Sequence, residues 1–269
     1  MASIEIGNEI KFTSITVGFN EGSKLSNCLK SVRFCDQSIY IDLGSNDNSL
    51  SIAKRIGAEI IEHEWVPIAD EIAQKALSWA RNNWIIFIDP DEVLGPKIQN
   101  EIVKIIKQTP KVGLIKIPWR FYFKNDHLDY SIWGQKKYKG VVFHKDRLII
   151  SPYVHQSSSL HPGFTELELN WDEGLYLDHY WNDSYRQFLK KHIKYLKLEG
   201  IGRYRSGQRF SKKKIITDPI RELKNNLFLY RGLKNGFRGI FLSFFYSFYI
   251  FGSMISLLIY EITQSHGKQ

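Results

Sequence analysis

Two aspartates and a glutamate follow an apolar segment in the first half of the chain, and these carboxylates could hold a metal ion. Ile85 to Ile88 are all large and apolar, and Asp89, Pro90, Asp91 and Glu92 come directly after them. An apolar run without polar alternation is typical of a strand buried on both faces of a parallel sheet, and ligands of such sheets bind beyond the carboxyl ends of the strands. We therefore expect Asp89 and Asp91 to lie in a crevice and to bind Mg²⁺ or Mn²⁺, which would neutralise a diphosphate. The alternative is an ordinary polar turn after a core strand.

Strand and helix patterns alternate along the residues before this segment. Strand patterns cover residues 12–19, 38–41 and 59–61, and apolar residues at helical spacing cover 24–32, 50–56 and 68–80. Polar residues follow the first two strands, as Asn20-Glu21-Gly22 and as the segment Asp42 to Ser49. This order predicts the α/β class, with a mostly parallel sheet flanked by helices, and such a βαβαβ half binds nucleotides readily.

The order of these segments resembles the family 2 glycosyltransferases, whose GT-A fold is a Rossmann-like, mostly parallel sheet. The resemblance rests on Phe19-Asn20-Glu21 after the first strand, on Asp42 to Ser49 after the second and on Trp84 to Glu92 at the fourth. It covers residues 12–96. The most similar group is that of the bacterial lipopolysaccharide core β-glucosyltransferases, whose members end the fourth strand in Asp-Ala-Asp-Glu. Here Pro90 replaces the usual small residue, which stiffens the loop and removes no ligand oxygen.

The resemblance implies a nucleotide pocket after the first two strands. Phe19, Asn20 and Glu21 would line it, Asp42 would contact the base, and Asp47 would support the same loop. A carboxylate can accept hydrogen bonds from a uracil ring N–H or from ribose hydroxyls, so the role of Asp42 is chemically reasonable. Asp42 could instead close an Asx turn within its loop.

The resemblance also implies a metal site at the end of the fourth strand. Asp91 would hold Mg²⁺ or Mn²⁺ and act in catalysis, and Asp89 would contact either the ribose or the metal. The segment Leu177-Asp178-His179 is similar to a histidine-containing stretch of these enzymes. His179 would complete the metal site or contact the diphosphate, and its alternative role is that of a packed histidine at a strand end.

An inverting transfer needs a base that deprotonates the acceptor hydroxyl, and the sequence leaves this base open. Relatives usually carry His-Glu at the position of His155 and Gln156, and that glutamate is a candidate base. Gln156 cannot take a proton at neutral pH. The candidates here are His155, Glu166, Asp172 and Asp126. We favour His155, since the ordinary pKa of histidine lies close to neutrality, although a lone histidine is more often structural.

The middle of the chain contains a further strand pattern and an aromatic run. Lys111 to Pro118 predicts a strand. The aromatic residues of Trp119 to Phe123 could continue the sheet or form the floor of an acceptor groove, and we favour a place in the core.

Composition agrees with an ordered catalytic domain in a reducing compartment. The chain is 43% hydrophobic, which excludes a disordered protein. Cys28 and Cys35 are the two cysteines and have no metal-ligand residues near them in sequence, so no disulfide framework is expected. Met1 to Lys11 has no apolar segment, and we therefore expect no secretory signal.

Basic residues are concentrated towards the C-terminus. Arg186 to Arg238 holds 16 Lys or Arg against 3 acids, whereas the net charge of all 269 residues is +9. The pattern predicts basic helices over residues 183–198 and 219–232. The segment Gly239 to Tyr260 then follows without one charged residue and is rich in Phe, Ile, Leu and Tyr. We expect a catalytic domain at 1–181, a basic helical extension at 182–238 and an apolar, membrane-associating tail at 239–269.

Three interpretations of this C-terminal part stay open. A solvated basic surface explains the charges but not the apolar segment. A spanning helix needs about 20 apolar residues, and the segment is long enough, although Gly252 and several serines dilute it. We favour a helix or helix pair in the headgroup region, with nearby Lys and Arg facing anionic lipid. The expected location is the cytoplasmic face of the inner membrane, as a peripheral or monotopic protein.

These observations favour an inverting, metal-dependent glycosyltransferase. It would move a sugar from a nucleotide-sugar donor to a lipid-anchored glycan such as lipopolysaccharide core or another cell-surface polysaccharide, and we favour a UDP-sugar as the donor. A nucleic-acid-binding protein would explain basic helices interleaved with Tyr195, Tyr204 and Phe210, but not the carboxylates or the apolar tail. A sugar nucleotidylyltransferase would need a Gly-rich first loop, which is missing. Gln156 leaves a non-catalytic nucleotide-sugar-binding protein as a further alternative.

Overall fold

The computed structural model describes residues 10–66, 70–130, 132–150, 158–182 and 184–266. The strands are β1 (Phe12–Gly18), β2 (Gln37–Asp42), β3 (Glu59–Glu62), β4 (Trp84–Phe87), β5 (Glu92–Leu94), β6 (Val112–Phe123), β7 (Asp126–His127), β8 (Lys137–His144), β9 (Leu148–Ile149), β10 (Ser159–Leu160), β11 (Thr165–Glu168) and β12 (Leu177–Asn182). The helices are α1 (Gly22–Ser31), α2 (Ser49–Ile56), α3 (Asp70–Leu77), α4 (Ile98–Gln108), α5 (Tyr185–Arg205), α6 (Lys214–Lys224) and α7 (Gly236–His266). A π-helical turn (Asn225–Leu229) and a 3₁₀ turn (Gly232–Asn235) lie between α6 and α7.

The main sheet has the strand order β3-β2-β1-β4-β8-β6-β12-β5. The pairs β2–β3, β1–β2 and β1–β4 are parallel, whereas β4–β8, β6–β8 and β5–β12 are antiparallel. The predicted α/β class is therefore confirmed, and the parallel part of the sheet is the part whose alternating strands and helices the sequence indicates. The antiparallel strands make the sheet as a whole mixed.

The segment Ile85 to Ile88 is buried on both faces, as its unbroken apolar pattern predicts. Ile85 packs in a cluster with Ile72 of α3. Ile86 and Ile88 pack in a second cluster with residues of α1 and α4. A strand covered on both faces has no room for polar side chains, so the first carboxylates appear where β4 ends.

The chain divides into two compact units. Unit 1 comprises Met1–Arg120 and Lys136–His179, and unit 2 comprises Phe121–Gln135 and Tyr180–Gln269. The unit boundaries fall within β6 and β12 and just before β8. The aromatic residues of Trp119 to Phe123 belong to β6, so this run continues the sheet, which is one of the two alternatives that the sequence left open. The expected domain boundaries at 181/182 and 238/239 stay predictions.

Unit 2 contains the long helices α5, α6 and α7. α5 extends to Arg205, beyond the expected end at residue 198. Pro219 lies inside α6 rather than at its start, and its carbonyl accepts a hydrogen bond from Ser247 of α7 at 2.9 Å. α7 packs closely on α5. The helices approach so closely at Gly200 and Ser256 that a Cβ at Gly200 would clash with the Ser256 carbonyl group. Among the described residues, one helical segment, Gly232–Ser265, is long and apolar enough to cross a membrane.

Candidate functional site

Asp89, Pro90, Asp91 and Glu92 form a tight turn at the end of β4. The backbone N–H of Glu92 donates to the carbonyl of Asp89 at 3.0 Å, and the Glu92 Oε2 accepts from the backbone N–H of Asp89 at 3.1 Å. Pro90 occupies the second position of this turn, where its fixed φ is favourable. A Cβ at Gly18 would lie 2.9 Å from the Tyr40 hydroxyl and 3.1 Å from Pro90 Cγ, so glycine allows this turn to pack closely on the end of β1. The turn holds Asp91 in a fixed place.

Lys139 joins two of the three carboxylates. Its Nζ lies 2.6 Å from Asp89 Oδ2 and 2.8 Å from both oxygens of Glu92, whose side chain is fully buried. Burial alone would lower the pKa of Lys139, but Asp89 and Glu92 raise it well above its ordinary value, so the ammonium stays charged. Burial raises the pKa of Glu92, and Lys139 opposes that effect. Glu92 is therefore a structural carboxylate.

Strand pairing explains how Lys139 reaches this turn. β8 runs antiparallel to both β4 and β6, and Lys139 lies opposite Ile117 of β6. Its Nζ also lies 5.3 Å from the ring centroid of Trp119. The sequence did not single out Lys139, since a lysine in a basic, polar segment has no pattern that marks it as the partner of distant carboxylates.

His179 and Asp91 form a polar pair beside the turn. His179 Nε2 lies 3.2 Å from Asp91 Oδ2, and these side chains are 11% and 16% exposed. The antiparallel pairing of β12 with β5 places His179 opposite Glu92. The Trp119 ring stacks on the His179 ring, with centroids 5.2 Å apart and an angle of 11° between the planes. The structure thus brings together the aspartate and the histidine that the sequence assigned to one metal site.

Arg120 supports the neighbouring part of β12. Its guanidinium makes a bidentate ion pair with Asp178, with N–O distances of 2.6 and 2.9 Å. The Arg120 Cζ lies 3.8 Å from the ring centroid of Tyr176. Such planar, two-point pairing fixes the side chain of Asp178. The sequence did not indicate this pair, because its members are 58 residues apart.

Asp42 closes the loop after β2. Its Oδ2 accepts hydrogen bonds from the backbone N–H groups of Gly44 and Ser45, at 3.1 and 2.8 Å. Its Oδ1 accepts from the Tyr40 hydroxyl at 3.2 Å. Asp42 therefore forms the Asx turn that the sequence left open as its alternative role. With 1% of the residue exposed, the contact of Asp42 with a base stays a prediction.

Asp47 joins the loops that follow β1 and β2. It accepts hydrogen bonds from the backbone of Gly22 at 3.0 Å and from the backbone and hydroxyl of Ser49 at 2.9 and 2.5 Å. Although slight burial raises the pKa of Asp47, the hydrogen bonds from Ser49 and Gly22 lower it below its ordinary value. The backbone N–H of Glu21 donates to Ser49 Oγ at 3.0 Å.

Asn20 makes two further bonds between these loops. Its Oδ1 accepts from the backbone N–H of Asn46, and its own N–H donates to Ser45 Oγ, both at 2.9 Å. Asn20 has a positive φ of 57°, a conformation that asparagine tolerates better than most residues. Phe19 precedes it and is 42% exposed. The predicted pocket residues Phe19, Asn20, Glu21, Asp42 and Asp47 thus lie in two connected loops.

The four candidates for the general base that deprotonates the acceptor lie in different parts of the chain. His155 and Gln156 lie outside the described residues. Glu166 forms an ion pair with Lys116 at 2.6 Å, Asp172 is exposed, and Asp126 belongs to unit 2 and forms an ion pair with Arg238. The structure gives no reason to prefer one of these three, and the role of His155 stays a prediction.

Asp91 and His179 fit a divalent cation as partial ligands. Over the described ranges, no group of three or more His, Cys, Asp and Glu side chains could hold a metal by itself. Mg²⁺ and Mn²⁺ are usually bound by one or two carboxylates, with substrate phosphates and water completing the shell. A histidine beside such a carboxylate can orient it towards the metal or add a nitrogen ligand. The donor set of Asp91 and His179 agrees with such an incomplete site. Asp89 contacts Lys139 here, so its part in metal binding stays a prediction.

Comparison with known proteins gives a family model, several relatives and several solved structures that match part of the chain. The family model "Glycosyl transferase family 2" matches residues 14–161, more than half of the chain. An uncharacterized glycosyltransferase of Rickettsia felis is 32% identical over 95 residues, which cover 34% of this chain and 32% of that protein. A relative from Rickettsia conorii is 30% identical over 95 residues, covering 34% and 33%. The match thus spans about a third of the length of these relatives.

One solved structure that aligns with the chain is glucosyl-3-phosphoglycerate synthase from Mycobacterium tuberculosis, crystallised with phosphoglyceric acid. The alignment covers 42% of this chain and 44% of that chain, with 18% identity and a TM-score of 0.36. A second complex of that enzyme contains Mn²⁺ and UDP-glucose, and its alignment has the same coverage and score.

Proposed function

The chain belongs to glycosyl transferase family 2, and from this premise we propose that it transfers a sugar from a nucleotide-sugar donor to an acceptor hydroxyl with inversion at the anomeric carbon. UDP-sugars are the donor class that we favour. The order of the sequence motifs favours the lipopolysaccharide core β-glucosyltransferase group within this family.

One observation carries the proposal: three neighbouring parallel strands end in the predicted site residues. β1 lies between β2 and β4, and its last residue, Gly18, is in register with Asp42 at the end of β2. Asn20 follows β1, and the turn with Asp91 follows β4. Parallel strands end at the same edge of a sheet, which is where ligands of α/β sheets bind. The nucleotide would contact the Asn20 and Asp42 loops, and its diphosphate would face Asp91.

Asp91 and His179 would hold Mg²⁺ or Mn²⁺ in this proposal. When bound, the cation would offset the negative charge that develops on the leaving diphosphate. Lys139 keeps Asp89 in place and leaves Asp91 to face the donor. The base that takes the proton of the acceptor hydroxyl would be His155.

We further propose that the acceptor is a lipid-anchored glycan and that the protein sits on the cytoplasmic face of the inner membrane. The support lies in an exposed row of apolar side chains along α7, here called the α7 stripe. Its members recur every three or four residues, except across residues 251–259, and each is 37% to 73% exposed: Phe237, Ile240, Phe244, Phe248, Phe251, Ile259 and Ile262. Such a one-sided row is typical of a helix that lies in the plane of a membrane surface.

Contacts of α7 with α5 favour in-plane seating over a span. Tyr249, near the middle of α7, donates a hydrogen bond to Glu199 of α5 at 3.0 Å, and Arg203 forms an ion pair with Glu199 at 3.4 Å. If α7 crossed the bilayer, this ion pair would lie close to its centre. A single charge there costs about 3 kcal/mol, and pairing offsets only part of that cost. Seating in the headgroup region avoids that cost, since the basic residues of α5 can then face anionic lipid.

A donor-binding experiment tests the proposed activity. Full-length protein in detergent would be titrated with a panel of nucleotide sugars, with and without Mn²⁺, and slow donor hydrolysis would be followed in parallel. We expect saturable binding of one UDP-sugar by the wild type and loss of metal-dependent hydrolysis in Asp91→Ala. Failure to bind any donor under either condition would overturn the proposal and favour a protein that does not use nucleotide sugars.

A further inference from the structure

Unit 2 contains a cavity that the proposed transfer does not use. Its volume is about 430 Å³. The residues that line it come from the β6–β7 hairpin, the start of α5, the end of the 3₁₀ turn and the start of α7: Lys124, Asp126, Tyr185, Asn235, Gly236, Phe237 and Arg238. All seven belong to unit 2.

The charged groups of this cavity favour an anion. Arg238 forms an ion pair with Asp126, which offsets the one acid of the lining. Lys124 supplies a second cation, and its Nζ lies 5.2 Å from the ring centroid of Tyr185. The lining therefore carries one net positive charge. Its donors are the Lys124 ammonium and the Arg238 guanidinium, which has further N–H groups besides the one that pairs with Asp126. These are the two side chains that bind phosphate groups best.

The position of Lys124 follows from a tight hairpin. Phe123 pairs with Asp126 across β6 and β7, so Lys124 and Asn125 form a two-residue loop. Both have positive φ, 52° and 63°, as the two central residues of a type I′ turn require. The backbone at Lys124 therefore has little freedom, and the base of its side chain stays at the rim of the cavity.

The apolar part of the cavity is continuous with the α7 stripe. Phe237 lines the cavity and is also the first member of that stripe, with 73% of the residue exposed. Tyr185 packs against Phe237 and Phe241, with ring centroids 6.4 and 4.6 Å away. A ligand with a phosphate at Lys124 and Arg238 would thus have its apolar part beside Phe237. A free phosphate ion would leave this apolar surface uncovered.

We propose that this cavity binds the phosphate of an anionic lipid headgroup, with the acyl chains beside the α7 stripe. The proposal rests on the membrane seating described above and is independent of sugar transfer. It adds a specific lipid contact to a seating that otherwise depends on apolar burial and diffuse charge.

The test compares two variants that lose the same charge. Full-length Lys124→Gln/Arg238→Gln changes the cavity, and Lys212→Gln/Lys213→Gln changes two exposed lysines elsewhere in unit 2. Partitioning of wild type and both variants would be measured on vesicles of phosphatidylcholine alone and of phosphatidylcholine mixed with phosphatidylglycerol. Thermal unfolding would show that each variant folds. If the cavity variant does not fold, Lys124→Gln alone replaces it, with Lys212→Gln alone as the control that loses the same charge.

We expect the cavity variant to lose roughly tenfold more affinity for the phosphatidylglycerol vesicles than the control variant loses, since diffuse attraction to anionic lipid falls equally in both. Equal losses would overturn the proposal while leaving the membrane seating intact. If the wild type binds neither type of vesicle, the proposed membrane seating is wrong, and the proposed lipid site is wrong as well.

Soluble glycerol phosphate, added at constant ionic strength, separates the two sources of phosphate. Displacement of the wild type, but not of the cavity variant, would show that the cavity also takes a free phosphate ester. Binding of glycerol phosphate without any variant effect on vesicles would contradict a lipid site.

Discussion

His179 Nε2 lies 3.2 Å from Asp91 Oδ2, although the two residues are 88 positions apart. The pair exists because β12 runs antiparallel to β5 and sets His179 opposite Glu92, next to Asp91. An imidazole so close to a carboxylate can either share a metal with it or orient it towards one. Both roles make the metal affinity depend on His179.

Replacing His179 should therefore weaken metal use. For His179→Ala we expect the Mn²⁺ concentration for half-maximal donor hydrolysis to rise about 10-fold to 100-fold, the usual cost of losing a ligand-orienting group. His161 is exposed and lies in the same unit, so His161→Ala is the control and should behave as wild type. An unchanged Mn²⁺ requirement in His179→Ala would remove His179 from the site. Chelation with EDTA should abolish wild-type hydrolysis, and excess Mn²⁺ should restore it.

The buried ion pair of Lys139 and Glu92 should matter more for stability than the pair of Lys139 and Asp89. Glu92→Gln leaves an ammonium without its buried partner, and we expect a loss of about 3 kcal/mol in the free energy of unfolding. Asp89→Asn should cost less, because its side chain is 42% exposed. Urea titrations measure both. Adding Lys139→Met to Glu92→Gln should recover part of the loss, and a double variant less stable than Glu92→Gln would contradict a paired role.

Two glycines of α5 should respond in opposite ways to alanine. A Cβ at Gly200 would meet the Ser256 backbone of α7, whereas a Cβ at Gly202 would have open space. Gly200→Ala should destabilise the protein by about 1–3 kcal/mol through overpacking. Gly202→Ala should stabilise α5 by up to about 1 kcal/mol, because alanine favours helix. Similar stabilities of the two variants in urea would show that α5 and α7 do not pack as described.

The stability of unit 2 should fall in acid because of His192. This ring lies among aromatic side chains, with Nδ1 2.8 Å from the carbonyl oxygen of Phe188. Burial lowers the pKa of His192 below its ordinary 6.5, despite the opposing effect of that hydrogen bond. As the pH falls, His192 is therefore protonated in the unfolded chain before it is protonated in the folded protein. Its contribution to stability is present above pH 6.5 and is lost as the pH falls towards the folded pKa.

Urea midpoints measured on either side of pH 6.5 check this sign. His192→Phe keeps an aromatic ring without a titrating group and should show a smaller decrease in acid. The same pH dependence in His192→Phe would assign it to other groups.

Membrane partitioning should depend on the α7 stripe. Phe244 and Phe248 are 46% and 70% exposed, and burying a phenyl ring in lipid contributes about 1.5–3 kcal/mol. We expect Phe244→Gln/Phe248→Gln to lower partitioning to phosphatidylglycerol-containing vesicles by at least about tenfold. Ile193→Gln/Leu198→Gln removes two exposed apolar residues of α5 and is the control. A larger loss in the control would place the lipid-facing surface on α5.

The sequence by itself determined the class of fold and the position of the carboxylates. An apolar run such as Ile85 to Ile88 predicts burial on both faces, and polar residues after it must lie at the end of the strand, because both signals are local. The same holds for the loops that begin at Asn20 and Asp42. It also determined that α7 is apolar and that basic residues precede it, since the composition of a segment does not depend on tertiary contacts.

Only the tertiary structure decided which of these groups meet. Lys139 is 47 residues from Glu92 and His179 is 88 from Asp91, so their contacts depend on the register of antiparallel strands, which no local pattern specifies. That register made Glu92 structural and left Asp91 beside a histidine. In the same way, packing against α5 buried one face of α7 and left the α7 stripe outside, because helix faces become distinct only when a partner covers one of them.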